Sequence, residues 1–427
     1  MLETFIQTLT GPCSVREGQA VLACCSGGVD SMVLLDLLLQ AASPLSLKVG
    51  AVHVDHGIRG EYSLRDARFV SEHCGMLGIP CHLYRLGMAP NGPNLEERAR
   101  TARYEKILHC AHAHGYHAAA TGHTLNDQAE TILYRLIRGS GLRGLAGMDH
   151  RSAGVVVRPM LGFTRHQVEA CARSRGTPFV EDATNLDTKH ARNLIRARIV
   201  PVMEEINPSV LFSIARLGEI AREEGGLVEE FSGDLERQAQ VADWGGVKAY
   251  RVSPLREAPV AALKRMAIRI VSSLAREPRG IDASQVEEIV KVVRGEKASH
   301  TVMRRVTARR DGDVFTFFPA GRGPFYRVDV PAPGFYGLPG LSVGVRVGLR
   351  GTPAEPLFLR SAGQGDRIQG KKVVKLLADR GVMRALRPFW PVVESGGEIV
   401  SLAGLLDAEG AAGLTTEFPC TEDTVKG

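Results

Sequence analysis

Six consecutive residues, Ser26, Gly27, Gly28, Val29, Asp30 and Ser31, bring together two hydroxyls, two glycines and a carboxylate. An apolar run at 20–25 precedes them and a helical pattern at 32–40 follows. A strand passing through a glycine turn into a helix aims main-chain N–H groups and a helix N-terminus at one point, which makes a cradle for phosphate. The glycines let the backbone approach an anion closely, and the serines add hydroxyl donors. Asp30 is the odd member, because phosphate oxygens repel a carboxylate unless a divalent cation lies between them. Mg²⁺ takes one or two carboxylates together with phosphate oxygens, so Asp30 reads as a magnesium ligand. The sequence G-x-x-x-x-G-K-[ST] is absent, which excludes the loop whose lysine reaches β- and γ-phosphates.

A second group, His123, Asp127 and Glu130, is spaced by 4 and 3 at the start of a helical pattern with apolar positions Ile132, Leu133, Leu136 and Ile137. That spacing sets all three on one helical face. Two carboxylates beside a polyphosphate again favour a metal. The elements that position these groups alternate: strand 20–25, helix 32–40, strand 49–54, helix 94–112, strand 117–121 and helix 127–138. Alternation of this kind predicts a doubly wound, mainly parallel α/β sheet, with the ligand crevice at the carboxyl ends of its strands. A helix at 192–206 closes this domain, which spans 1–206. Residues 207–345 read as a helical domain, with apolar faces at Leu211, Ile214, Ala215 and Leu217 and again at Ala262, Met266, Ile270 and Val271, ending in a Pro/Gly-rich connector at 319–340. Residues 346–427 read as a small α+β domain with a strand at 357–360, a basic helix at 371–380 and a strand at 398–402.

Length and composition agree with several folded domains. The chain has 427 residues, 44% hydrophobic and 23% charged, which excludes disordered tails, collagen-like repeats and coiled-coil rods. No apolar run is long enough for a membrane span, and the start MLETFIQTLTGPC lacks a basic stretch ahead of an apolar run, so the cytoplasm is expected. Eight cysteines without a C-x-x-C pair argue against a disulfide framework, a zinc ribbon or thioredoxin-like chemistry. The histidines His109, His112, His114 and His117 have tempting spacings for zinc, but the run crosses from a helix through Gly115 into a strand, so no shared site is expected among them. Residues 131–200 carry 12 Arg/Lys against 5 Asp/Glu, and residues 361–390 carry 7 against 2, within a chain of net charge +6. Two basic islands far apart in sequence suit an extended polyanion.

The S-G-G-V-D-S loop after an N-terminal strand resembles the pyrophosphate-loop ATPases, which cleave ATP between its α- and β-phosphates and adenylate a substrate. Three further blocks, HVDHGIRG (53–60), TGHTLNDQAET (121–131) and ATNLDTKHARNLIR (183–196), stand in the order and spacing of tRNA(Ile)-lysidine synthetases. Residues 359–393, with G-D-R, a lysine-rich stretch and R-x-x-x-P, resemble that family's C-terminal domain; the family usually has one lysine more there, at the place of Val374.

The resemblance implies ATP-dependent ligation of free L-lysine to C2 of the wobble cytidine in the CAU anticodon of tRNA(Ile), through an adenylated cytidine, with ATP and Mg²⁺ as cofactors. It implies Asp127 in magnesium and lysine contacts, Glu130 in lysine binding and His123 beside the adenylated centre, with His123 also a candidate for taking the amine proton. It implies the backbone at Val52 and His53 in holding adenine, with His56 and Arg59 bordering the site. Arg138, Arg143, Arg192, Asn193 and Arg196 are expected near nucleotide and substrate, and Lys371, Lys372 and Lys375 on tRNA. Homodimers are among the assemblies left open. The segment GSGLRG (139–144) matches G-x-G-x-x-G in form only, since a helix rather than a strand precedes it. The alternatives are a pyrophosphate-loop tRNA thiolase, which typically needs cysteine pairs, and a non-catalytic RNA-binding protein.

Overall fold

The computed structural model describes residues 1–55, 61–87, 95–180, 191–244, 246–275, 281–320, 325–341, 343–349, 355–407 and 414–418. His56, Arg59 and residues 183–190 of the third sequence block lie outside them. The chain divides into two compact units, Met1–Gly225 and Gly226–Gly427.

The first unit runs α1 (Leu2–Thr10), β1 (Ala20–Cys24), α2 (Val29–Ala42), β2 (Lys48–Asp55), α3 (Glu61–Met76), β3 (Cys81–Arg85), α4 (Leu95–Ala113), β4 (Ala118–Thr121), α5 (Leu125–Ile137), α6 (Leu142–Leu145), β5 (Arg151–Ser152), β6 (Val156–Val157), α7 (Arg165–Arg175), α8 (Ala191–Leu194), a π-helical turn (Ile195–Ile199) and α9 (Val200–Ile206). Its sheet has the order β3-β2-β1-β4-β6-β5, parallel except for the β5–β6 pair. Strand alternation fixes the two layers. Val21 and Ala23 of β1 and Ala118 and Ala120 of β4 pack in one core with Leu34, Leu38 and Val168 of the helices, while Leu22 and Ala119 pack on the other face with Val52, Ile107 and Cys110. Both faces are thus covered, as a parallel sheet requires. The strand order reverses between β1 and β4, and ligand crevices form at such a reversal.

The helix expected at 127–138 starts two residues earlier, and only half of its apolar set is interior: Ile132 and Leu133 are buried whereas Leu136 and Ile137 are exposed. The helix expected at 192–206 is present but carries the π turn.

The division between the units falls within α10 (Val210–Ala239). There Leu211 and Ile214 are buried while Leu217 is exposed. Beyond α10 the second unit continues β7 (Gln240–Asp243), β8 (Lys248–Arg251), α11 (Val252–Glu257), α12 (Val260–Ala275), α13 (Ala283–Arg294), β9 (Ser299–Val302), β10 (Val306–Asp311), β11 (Val314–Pro319), β12 (Arg327–Val330), β13 (Gly334–Gly337), β14 (Gly344–Gly348), β15 (Leu357–Ser361), β16 (Arg367–Ile368), β17 (Lys371–Lys372), α14 (Val373–Asp379), β18 (Pro391–Ser395), β19 (Glu398–Leu402), β20 (Leu406–Asp407) and β21 (Thr415–Glu417).

Three expectations are corrected here. The region after α10 is not purely helical: β7 and β8 join β11, β10 and β9 in an antiparallel five-stranded sheet against which Met266, Ile270 and Ile289 pack. The segment expected as a connector holds β12 and β13, which pair with β15 and β14. A second core joins Trp244, Trp390 and Phe418, whose rings meet edge to face at 5.2 to 6.1 Å. The basic helix expected from Lys371 is also shorter, since Lys371 and Lys372 form β17 against β16 and only Lys375 lies on α14. Seven described cysteines are free thiols, and among the described residues no helix is long and apolar enough to cross a membrane.

Candidate active site

The phosphate-type loop lies between β1 and α2 and is cinched by its own serines. Ser31 Oγ donates to Gly28 O at 2.9 Å and accepts from Ser26 N at 3.1 Å, and the two hydroxyls lie 3.2 Å apart. Gly27 has φ +95°, a conformation that a side chain would strain. The turn is anchored from behind, where Cys25 N–H donates to Val52 O and His53 Nδ1 lies 2.9 Å from Cys25 O. The His53 ring is therefore buried structure, although His53 and Val52 both line the cleft.

The acidic helix α5 arrives beside this turn because of one glycine. A Cβ on Gly122 would lie 3.0 Å from the Asp30 carbonyl and 3.1 Å from Ser31 N, so the β4–α5 link presses directly on the start of α2. Asp127 then divides its two oxygens. Oδ2 accepts from Thr124 N (2.8 Å) and Thr124 Oγ1 (3.0 Å), capping α5, and Oδ1 faces Arg196 Nη2 at 3.3 Å. Glu130, one turn on, is buried and takes a bidentate pair from Arg196, Nε–Oε1 2.6 Å and Nη2–Oε2 2.9 Å. Asp30 Oδ2 pairs with Arg165 Nη2 at 3.1 Å, whereas Asp30 Oδ1 is buried with no hydrogen-bond partner among the described residues.

These charges are held under tension. Burial pushes the Asp30 carboxyl above its ordinary range, opposed by Arg165 and reinforced by the nearby charge of Asp127. Burial likewise raises Glu130, against the lowering pull of Arg196 and with a further push from Asp127. Burial works to lower Arg196, but the bonds and charge of Glu130, then the charges of Asp127 and Asp30, keep it above its ordinary value and firmly cationic. His123, bonded through Nδ1 to Thr121 Oγ1 at 2.8 Å, is pushed down to about 4 by burial, so it is an uncharged imidazole at neutral pH. Mg²⁺ fits this donor set: an orphaned, buried carboxylate oxygen on Asp30 beside the second carboxylate of Asp127 is the oxygen-rich, anionic arrangement that the ion takes.

Ser26, Gly28 to Ser31, His123, Asp127, Glu130, Arg165 and Arg196 line one cleft of about 1270 Å³ at the carboxyl ends of β1, β2 and β4, together with Arg192 and Asn193, whereas Gly27 does not line it. Arg138 and Arg143 are exposed and do not line it; Arg138 instead donates to Tyr134 OH at 3.0 Å and stacks on that ring, with Arg192 also 5.9 Å from the ring centroid. Sequence reasoning missed Arg165, on the first residue of α7, and Arg100, Arg103 and Tyr104 of α4, which also line the cleft. Their signal was weak, because polar-faced helices carry many solvent-exposed arginines.

In the second unit Lys371, Lys372 and Lys375 are exposed, with no ion pair among the described residues. The carboxylate of the G-D-R stretch is instead structural. Asp366 accepts from Arg360 Nη1 and Nη2 at 2.8 and 2.9 Å and from Gly363 N at 2.6 Å, and Arg360 Nε also reaches Glu394 at 2.7 Å.

A serine- and glycine-built loop entering a helix at the sheet's switch point, with acidic groups gathered over it, defines a nucleotide-using enzyme of the pyrophosphate-loop kind. Accordingly, a family model described as a PP-loop domain matches residues 1–203. The tRNA(Ile)-lysidine synthase of Thermus thermophilus is 34% identical over 388 residues, 89% of this chain and 68% of the relative. That of Symbiobacterium thermophilum is 30% identical over 437 aligned positions, covering 92% of this chain and 91% of the relative. That of Thermotoga sp. RQ2 is 42% identical over 207 residues, 48% of this chain and 50% of the relative. The chain belongs to the tRNA(Ile)-lysidine synthase family.

Proposed function

We propose that this protein uses ATP to join free L-lysine to C2 of the wobble cytidine in the CAU anticodon of tRNA(Ile), releasing AMP and pyrophosphate. The observation that carries this reading is the gathering of Asp30, Asp127 and Glu130 over the Ser26–Ser31 turn inside one cleft. The turn's main-chain N–H groups and serine hydroxyls hold the phosphates. Asp30 and Asp127 would hold Mg²⁺, which when bound would supply positive charge where pyrophosphate departs. Cytidine O2 attacks the α-phosphate, and AMP then leaves C2 as lysine's deprotonated amine attacks.

Glu130 and Asp127 Oδ1, once Arg196 gives them up, suit the cationic end of lysine, while the forks of Arg192 and Arg196 suit carboxylate or phosphate. His123, neutral and a weak base at about pKa 4, serves by hydrogen bonding beside the reacting centre and not by adding charge. Residues 1–206 form the catalytic part in this reading, with 207–345 and 346–427 contacting tRNA and Lys371, Lys372 and Lys375 meeting its phosphates.

Purified protein, ATP, Mg²⁺, labelled lysine and a CAU-anticodon tRNA(Ile) should yield labelled tRNA and AMP. Folded protein that leaves the tRNA unlabelled under these conditions removes the proposal.

A further inference from the structure

Away from the cleft, the last turn of α4 meets the edge strand β3. Cys110 and His114 are four residues apart, and His114 N–H donates to Cys110 O at 3.1 Å, so the helical turn continues and both side chains share one face. His82 of β3 stacks on His114 with ring centroids 4.0 Å apart. One donor atom each from His82, Cys110 and His114 lies within 4.8 Å of the others. Cys110 is fully buried, His82 half-buried and His114 exposed. None of the three lines the nucleotide cleft.

The surroundings already orient two of the donors. Tyr116 OH lies 3.2 Å from His82 Nε2, fixing that ring through one nitrogen and leaving the other without a hydrogen bond among the described residues. Metal-bound histidines are typically held in this way. The Tyr84 hydroxyl beside the Cys110 sulfur favours the thiolate, although burial raises the thiol overall. Burial and the neighbouring His114 keep the His82 imidazole below its ordinary range, in the neutral form that ligates at neutral pH.

We propose that His82, Cys110 and His114 bind one divalent cation of the zinc class, clipping the C-terminal turn of α4 to the edge of the sheet. Tetrahedral zinc with bonds of about 2.0 Å to nitrogen and about 2.3 Å to sulfur sets its donors roughly 3.3–3.6 Å apart. The donors, all within 4.8 Å of one another, therefore need to close by no more than about 1.5 Å, an adjustment to which rotation of the exposed His114 side chain contributes. Two imidazoles and a thiolate leave a fourth position for water. Each ion bound releases the Cys110 proton to solvent. The clip has a route to the cleft: Cys110 packs with Val52 and Ile107, which line it, and α4 carries Arg100 and Arg103 into it.

The test uses the full chain, reduced and freed of metal with a chelator, titrated with Co²⁺ and then Zn²⁺. One Co²⁺ per chain should give a thiolate-to-cobalt charge-transfer band and strong tetrahedral ligand-field absorption, both abolished by one equivalent of Zn²⁺. Co²⁺ held by the carboxylates of the cleft gives no thiolate band. Cys110→Ser should abolish the band, and His82→Ala and His114→Ala should each weaken Co²⁺ binding by at least about tenfold. Because Cys110 is buried and its variant could misfold, His114→Ala, a change at an exposed side chain, decides independently. It should also erase the rise in melting temperature that Zn²⁺ produces in the parent. A parent chain without the band overturns the proposal, as does a band that survives both histidine changes, which would assign the ion to other thiols such as Cys74 and Cys81.

Discussion

In the N-terminal unit three carboxylates, Asp30, Asp127 and Glu130, share two arginines, and Asp30 Oδ1 is buried without a partner among the described residues. In the C-terminal unit Asp366 has both oxygens engaged by Arg360 and a backbone N–H, and Glu394 is shared between Arg360 and Arg327. The same residue types end in opposite electrostatic states. Asp30 and Glu130 are raised above their ordinary range by burial. Asp366 is held below its range: burial pushes it up, but the Arg360 bonds and the Gly363 N–H outweigh that. Glu394 is lowered chiefly by its bond to Arg360. A scaffold satisfies its charges internally, whereas a binding site leaves them short of partners that ligands then supply.

The contrast is broken most directly by neutral isosteres. Asp30→Asn should reduce lysine incorporation by about 10²–10³-fold or more. It should leave the melting temperature unchanged or slightly higher, because it removes a carboxylate that burial disfavours. Retained activity with a lowered melting temperature would reverse the roles assigned to the two units.

Asp366→Asn is the mirror experiment. It should cost about 2–4 kcal/mol, since Arg360 then keeps a partly buried charge with half its partners. Both tryptophans of the chain, Trp244 and Trp390, sit in the core of this unit, so urea denaturation followed by their fluorescence reads it selectively. An unshifted midpoint would contradict a structural role for Asp366.

Replacing Lys371, Lys372 and Lys375 together by alanine should change stability by no more than about 0.5 kcal/mol. The log–log salt slope of tRNA binding should become shallower by about 2–3, one for each phosphate that is no longer neutralised. A slope equal to the parent's would remove these lysines from the RNA surface.

The smallest effect is in the acid response. Asp366 and Glu394 titrate below their unfolded values of 3.8 and 4.5, so their contribution is complete above about pH 4.5 and is lost as pH falls through the folded values. In the N-terminal unit two effects oppose each other. The raised Asp30 and Glu130 are relieved by acid, whereas the depressed His123 loses its contribution as pH falls from 6.5 through about 4. Tryptophan fluorescence should therefore show a steeper acid transition than hydrogen exchange of residues 1–225, and Asp366→Asn should flatten the former.

The loop and acidic helix were legible in the sequence because their signals are local: glycines between a strand and a helix, and carboxylates at helical spacing. Arg165 was not, since only the packing of α7 against α2 brings it to Asp30. The G-D-R stretch read as part of an RNA-binding block because charge patterning does not reveal who pairs with whom; Asp366 turned out to be internal. Short strands escaped for different reasons. Four residues of β7 or β8 cannot outweigh the helical pattern around them, and β12 and β13 lie among prolines and glycines that usually mark loops. Cys110 and His114 were visible as an i, i+4 pair, but His82 joins them only through the sheet.

Gly122 sets how this enzyme can move. A methyl group there would stand 3.0 Å from the Asp30 carbonyl and 3.1 Å from Ser31 N, so the β4–α5 link and the start of α2 are in close contact and a displacement of one presses on the other. In the reaction proposed above, Arg165 and Arg196 would swing off the carboxylates they hold as incoming ligands take their place.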